Sequence, residues 1–429
     1  MKKPVSFNFK LILPALFLLA MLWSCQTHDE TTWRKGNMHT HTFWSDGDDF
    51  PESVAKWYKD HGYDFLAFTD HNVILEGERW RSFPEEHQAL VKYTELFGED
   101  WVETRPADEE DHVQVKLKPL DAFRDRFEEP GEFLLMMGNE ITARHAVHML
   151  AHHQNEVIPP SEGSVDEKVA MIQKTIERLE QYRQRTGRNT HPVLAHPNFH
   201  WAITAEMMLK AKDLRFFEVY NGHPAVNNEG SKIRPDTERI WDIVLSKRLA
   251  NGNENILYGL ATDDAHNYHS AGATPGRGWV MVRSEKLAPE NILDAIDRGD
   301  FYASSGVTLK DIHFDGERLE IEIKPEEGVE YTTEYIGTRE GFDAGSKPRL
   351  DESGEEIPNT TRVYGKDLGK VLASSTDLKS SYSFSGDELY VRVRITSSKD
   401  QKDRITEEVI GKQRAWVQPV VPEITKAYR

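Results

Sequence analysis

The sequence predicts an α/β chain in which a barrel of alternating strands and helices carries metal ligands at one face and a smaller antiparallel β domain follows. Three observations predict it. From Gly36 to about Ser305, short apolar runs alternate with amphipathic stretches. Clusters of histidine and carboxylate follow most of those runs, as Thr69-Asp70-His71-Asn72 follows Phe65-Leu66-Ala67-Phe68. Ligands repeated at strand ends are how a βα barrel builds a site at one face. After Ser305 the apolar residues alternate with period two instead.

Taken in order, the apolar runs place strands at 36–41, 64–69, 132–139, 146–151, 192–195, 216–220 and 256–261. The amphipathic stretches place helices at 51–61, 84–97, 165–186, 204–212, 236–249 and 289–298. Pro51 suits a first helical turn, with Asp49 just upstream. The charged, irregular stretch 98–129 reads as an insertion over the barrel mouth. Beyond 305, Asp311-Ile312-His313-Phe314, Leu319-Glu320-Ile321-Glu322-Ile323 and Leu389-Tyr390-Val391-Arg392-Val393-Arg394-Ile395 read as strands, with Asp315-Gly316 as a turn. The expected division is therefore 36–306 for the barrel and 307–429 for the β domain, which holds no ligand cluster.

With 429 residues, 38% of them hydrophobic, the chain has material for a full core and two domains. Its net charge of −19 argues against nonspecific nucleic-acid binding, which needs a basic footprint. A local cationic pocket for an anionic substrate is compatible with that charge. At the N-terminus, Lys2, Lys3 and Lys10 precede an apolar run at 11–23 that is too short to span a bilayer comfortably. The run ends Leu22-Trp23-Ser24-Cys25, which resembles a bacterial lipoprotein cleavage box, although Trp23 departs from the usual small or aliphatic residue. Cys25 is the only cysteine, so disulfides and thiolate metal ligands are excluded. The expectation is a signal peptide over 1–25, lipidation at Cys25, a polar tether over 26–35, and a lipid-anchored protein of the bacterial cell envelope. An ordinary secretory signal is the alternative.

The candidate metal ligands are His39, His41, Asp46, His71, Glu140, His148, His196, Asp264 and His266. His39 and His41 are two apart on an expected strand, so both point to one face. Singly, each residue has an ordinary reading as a turn, cap or surface residue. Jointly they recur at the same end of successive βα units, and that is the signature of a metal centre. Imidazole and carboxylate without thiolate suit zinc, manganese or iron.

His39-Thr40-His41 with Ser45-Asp46-Gly47, Thr69-Asp70-His71-Asn72, Glu140, Val147-His148-Met149-Leu150, Ala195-His196-Pro197 and Asp264-Ala265-His266 resemble the motif set of the PHP (polymerase and histidinol phosphatase) superfamily. The resemblance covers about residues 36–306 and implies a distorted (β/α)7 barrel with two or three divalent ions. By that resemblance His39, His41, Glu140 and Asp264 hold one ion. Glu140 bridges to a second ion, completed by His148 and His196, and Asp46, His71 and His266 hold a third. Some members have histidine at the position of Asp46. The spacing of the motif selects Asp264 over Asp263, and its context selects His148 over His145, His152 and His153. Gly276-Arg277-Gly278-Trp279 and Arg298-Gly299-Asp300-Phe301-Tyr302-Ala303-Ser304-Ser305-Gly306 resemble a secreted or lipid-anchored subgroup. Asp70, His145 and Arg144 are the catalytic candidates, Asp70 as a residue orienting an imidazole or accepting a proton. Arg277, Asn221, His223 and Trp201 are candidate substrate contacts.

The leading functional reading is a metal-dependent hydrolase of phosphate esters, in which clustered metals present hydroxide and neutralise anionic oxygen. The rival is a metal-assisted lyase or dehydratase on uronic-acid oligosaccharides, with His145 or His223 as base. A non-catalytic binding module is the third reading. The expected partners are an anionic small molecule or oligosaccharide and a membrane reached through the lipid anchor.

Overall fold

The computed structural model describes Met1 and residues 32–422. Cys25, the rest of the expected signal peptide and the first part of the expected tether lie outside the described residues. Among the described residues no helix is long and apolar enough to cross a membrane. Thirteen strands form one sheet; numbered along the chain they are β1 (Thr32–Asn37), β2 (Phe65–Phe68), β3 (Leu134–Ala143), β4 (Val147–His152), β5 (Val193–Leu194), β6 (Phe216–Asn221), β7 (Tyr258–Thr262), β8 (Trp279–Ser284), β9 (Phe301–Ser304), β10 (Tyr331–Arg339), β11 (Lys370–Ser375), β12 (Glu388–Lys402) and β13 (Val409–Val420). Their spatial order is β7-β6-β5-β4-β3-β2-β1-β8-β9-β13-β12-β10-β11.

The strands of the half that carries the histidine and carboxylate clusters form because their apolar runs are buried on both faces. Phe65 and Ala67 of β2 face one core with Met38, Met136, Leu150 and Leu260, while Leu66 and Phe68 face another with Phe50, Tyr58 and Phe123. Helices α1 (Pro51–Asp60), α2 (Gln88–Phe97), α3 (Leu120–Phe127), α4 (Lys168–Thr186), α5 (Ala205–Lys210), α6 (Thr237–Ala250) and α7 (Pro289–Arg298) connect or cover them. Local chemistry sets their ends. Pro51 and Pro289 open α1 and α7. The Thr204 and Asp236 side chains cap α5 and α6, and Gly187 and Gly299 end α4 and α7 in left-handed backbone.

All seven strands expected between 36 and 261 are present, with four differences in detail. The first runs over Thr32–Asn37, so the last residues of the expected tether are strand, paired antiparallel with Trp279–Ser284. Trp33 packs edge-on against Tyr302, and Lys35 lies over Tyr63 and Trp279, which gives this polar segment apolar partners. β3–β4 is a hairpin and β4–β5 is also antiparallel, while β1–β2, β2–β3, β5–β6 and β6–β7 are parallel. The connection Arg144–Ala146 is too short for a parallel crossover. Ladder pairing leaves the sheet open; a lone parallel bridge, Thr40 to Ala265, joins the segments that follow β1 and β7. Finally, the stretch 98–129 is ordered. Thr104–Pro106 and His112–Leu117 join Arg79–Pro84 in a three-stranded sheet, and α3 buries Leu120, Phe123 and Phe127. The strand Arg79–Pro84 also displaces the expected start of α2 from 84 to 88.

The C-terminal strands continue the same sheet through β9–β13, and the described residues 32–422 belong to one compact unit. Leu319, Ile321 and Ile323 alternate inward in a second antiparallel sheet of Leu309–Phe314, Arg318–Ile323 and Lys379–Ser383. Buried Arg392 of β12 pairs with Asp242 and Glu238 of α6, each at 2.8 Å.

Candidate metal centre

Glu140 stands at the centre of the site. Its carboxylate is fully buried on β3 and faces five imidazoles: His39 at 3.3 Å, His41 at 3.4 Å, His71 at 2.8 Å, His148 at 2.9 Å and His196 at 3.1 Å. Topology explains the convergence. His39, His41, His71, His196, Asp264 and His266 lie just beyond the C-terminal ends of β1, β2, β5 and β7. β4 runs in reverse, so it contributes His148 from its start. His39 and His41 lie past the end of β1 rather than within it, yet they keep the period of two through the Thr40 bridge.

The donor atoms fall into three groups, each within 4.8 Å: His39, His41 and Asp264; His39, Glu140 and His196; and His41, Asp46, His71 and His266. Asp264 Oδ1 lies 3.1 Å from both His39 Nε2 and His41 Nε2. Asp46 lies 3.4–3.6 Å from His266, His71 and His41. Gly47 permits that turn, because a Cβ there would meet the His41 carbonyl at 2.6 Å. His196 and Asp264 hold left-handed backbone, with φ of 24° and 49°. Such conformations cost about 1–3 kcal/mol and persist where the surroundings enforce them.

The donor set fits divalent ions. His39 Nε2, Glu140 Oε2 and His148 Nδ1 are buried and meet one another, His71 and Asp264 at 2.8–3.3 Å without a well-formed hydrogen bond, so donor atoms crowd together with nothing but each other to satisfy them. Without an ion, protons supply the positive charge. Burial pushes the His39 imidazole down, but Asp264, Glu218 and Glu140 outweigh it and hold it well above its ordinary value. Burial likewise disfavours charged His71, yet Glu140 and Asp46 raise it to about 11. Burial would raise Glu140 and Asp264; the imidazoles facing them hold both well below the carboxylate range. His41 drops to about 3 through burial and the neighbouring His266, and is neutral as a ligand must be.

Sequence reading missed Glu218. This fully buried carboxylate of β6 binds His39 Nδ1 at 2.8 Å, the His196 backbone N–H at 2.7 Å, Thr262 Oγ1 at 2.6 Å and Asn221 Nδ2 at 2.8 Å. It fixes which nitrogen of His39 faces the cluster. The signal was an acid inside the apolar run Phe216-Phe217-Glu218-Val219, where an ionised group is almost never buried without partners.

The other candidates divide. Asp263 faces away from the cluster, accepting from Tyr58 and from the backbone of Arg277 and Gly278 at 2.6–2.8 Å. Asp70 is not aimed at the His71 ring; it accepts from the Thr42 N–H at 2.8 Å and from Ser45 Oγ at 2.6 Å, bracing the turn that carries Asp46. His71 is oriented instead by Thr142 Oγ1 at 2.6 Å. Asn221 donates to Asp264 at 3.1 Å and to Glu218, so it supports ligands rather than standing free for substrate. Arg277 is buried and paired with Asp403, which removes it as a substrate contact. His223 is half-buried, its ring 5.4 Å from that of His266. Arg144 and His145 are exposed at the β3–β4 turn, where His145 has φ of 62°. Trp201 lies beneath Arg234. His152 binds the Met38 carbonyl at 2.8 Å and His153 lies 3.6 Å from Glu290, so neither competes with His148. A cavity of about 500 Å³ lined by His191, Arg215 and Asp297 opens at the other end of β5 and is separate from this site.

No family profile and no curated protein matches the chain. Among the solved structures that resemble it remotely are two bacterial proteins. One is a two-domain protein from Bacteroides vulgatus containing a predicted PHP-like metal-dependent phosphoesterase, at 14% identity and TM-score 0.39, covering 91% of this chain and 95% of that one. The other, from Bifidobacterium adolescentis, carries a metal-dependent phosphoesterase assignment that is itself a prediction, at 14% identity and TM-score 0.27, covering 63% and 96%. The reading of the site rests on its geometry.

Proposed function

We propose that this chain is a PHP-type metal-dependent phosphoesterase, anchored in the bacterial cell envelope through Cys25. The observation that carries the enzymatic reading is the convergence of six imidazoles, from segments far apart in sequence, on three carboxylates, the buried Glu140 and Asp264 and the more exposed Asp46. His39, His41, Glu140 and Asp264 would hold one divalent ion, Glu140, His148 and His196 a second, and Asp46, His71 and His266 a third. Divalent ions held there would supply an activated water at neutral pH and positive charge for the oxygens of a phosphate ester. The chain's own residues do the positioning. Glu218 and Thr142 fix the tautomers of His39 and His71, and Asp70 braces the Asp46 turn. His223, whose ring lies 5.4 Å from that of His266, would contact the substrate.

The test is turnover in oxygen-18 water. Phosphoester hydrolysis releases phosphate or a phosphomonoester carrying solvent oxygen. A near-ultraviolet chromophore formed from a uronic-acid oligosaccharide, with no activity on any phosphate ester, overturns hydrolysis in favour of elimination.

A further inference from the structure

The C-terminal strands carry no member of the ligand set, yet their longest hairpin reaches the segment that does. β12 and β13 extend to a tip at 403–408, and that tip packs on the 263–278 loop, which contains Asp264 and His266. Asp403 is the centre of the contact and is 3% exposed. One carboxylate oxygen takes an ion pair from Arg277 and a hydrogen bond from Thr274 Oγ1 at 3.1 Å. The other accepts from the N–H groups of Ile405 and Thr406 at 2.9 and 2.8 Å, which folds the tip itself.

Further bonds run from this contact toward the ligands. Arg277 also donates to Thr274 Oγ1 at 3.1 Å and to the Gly222 carbonyl at 2.7 Å, beside Asn221, which donates to Asp264. Gln401 of β12 donates to the Arg277 carbonyl at 2.6 Å and accepts from Tyr220 of β6. Arg404 donates to the Tyr268 carbonyl at 3.0 Å. Within the loop, the His266 and Asn267 N–H groups bond the Ala273 carbonyl at 2.9 and 3.0 Å. The loop is therefore closed on itself and held by groups from the hairpin at Tyr268, Thr274 and Arg277.

We propose that Asp403 is a positioning residue of the metal centre: through Arg277 and Thr274 it holds the 263–278 loop in the shape that presents Asp264 and His266. This rests on the metal-centre reading given above. It assigns the C-terminal strands a part in the site that they do not enter.

The experiment uses the full chain, stripped of metal. Zinc is titrated into the parent and into Asp403→Asn, and backbone amide exchange over 264–278 is measured in both without metal. In the variant at least one zinc site weakens about tenfold or more. Its loop amides exchange about tenfold faster, while those of β10 and β11 keep their rates. Glu334→Gln, which removes one of the two carboxylate partners of Arg394 in the same strands but does not touch the loop, changes neither readout. Should Asp403→Asn fail to fold, Thr274→Val removes the shared hydroxyl while keeping the ion pair, and shifts both readouts the same way. Parental zinc affinity together with parental loop exchange, in whichever variant folds, overturns the proposal. If the parent itself binds no zinc, the metal reading fails, and loop exchange alone decides whether Asp403 holds the loop.

Discussion

Replacing Glu140 by Gln keeps the shape of the side chain and removes one charge from the most crowded point in the site. The glutamate lies within 2.8–3.4 Å of five imidazole nitrogens and is fully buried, so solvent does not replace it. Removing one member of a buried charge arrangement costs about 3–5 kcal/mol. At about 1.4 kcal/mol per tenfold, this weakens ion binding by roughly two to three and a half orders of magnitude. Two ions share Glu140 in the proposed arrangement, so both affinities fall. The assay is chelator competition with zinc on parent and variant, with circular dichroism to establish that both are folded. Without metal, His71 loses its principal anionic neighbour, so its proton leaves at lower pH than in the parent, and NMR of the imidazole reads that directly. A folded Glu140→Gln chain that binds every ion with parental affinity refutes the reasoning.

Three further outcomes follow. Glu218→Gln frees the His39 ring from its orienting carboxylate and lowers metal affinity about 10–100-fold in the same competition assay, without removing a ligand. Burial would raise Glu238, but Arg392 and Arg394 lower it from 4.5 to about 2. Its stabilising contribution, about 3 kcal/mol at most, is complete above pH 4.5 and is lost as pH falls toward 2; urea unfolding shows a shallower loss of stability with acid in Glu238→Gln than in the parent. Cys25→Ser abolishes lipidation and leaves the chain unprocessed or released, so identical fractionation and maturation of parent and variant contradicts the anchor.

Much of the candidate site was legible because its candidate ligands sit in short motifs next to apolar strands. Thr69-Asp70-His71 directly follows β2, and Ala195-His196-Pro197 directly follows β5. What was not legible depends on partners far away in the chain. Glu218 acquires meaning from His39, 179 residues earlier, and Arg277 loses its role as a substrate contact to Asp403, 126 residues later. Asp70 stands beside His71 in sequence, but its carboxylate turns to Thr42 and Ser45 because their N–H and hydroxyl donors lie in the loop across from it. The insertion over 98–129 read as irregular because its charges mask the short alternation of His112–Leu117, whose Val115 and Leu117 are fully buried. The β3–β4 hairpin was concealed for a different reason: parallel and antiparallel strands buried on both faces carry the same apolar runs.

The central claim is that the convergent imidazoles and carboxylates are a multinuclear metal centre. Elemental analysis of the full chain after mild purification tests it most directly. The account predicts two or three divalent ions per chain, distributed among zinc, manganese and iron. Less than one equivalent, even after incubation with each of those metals, contradicts it.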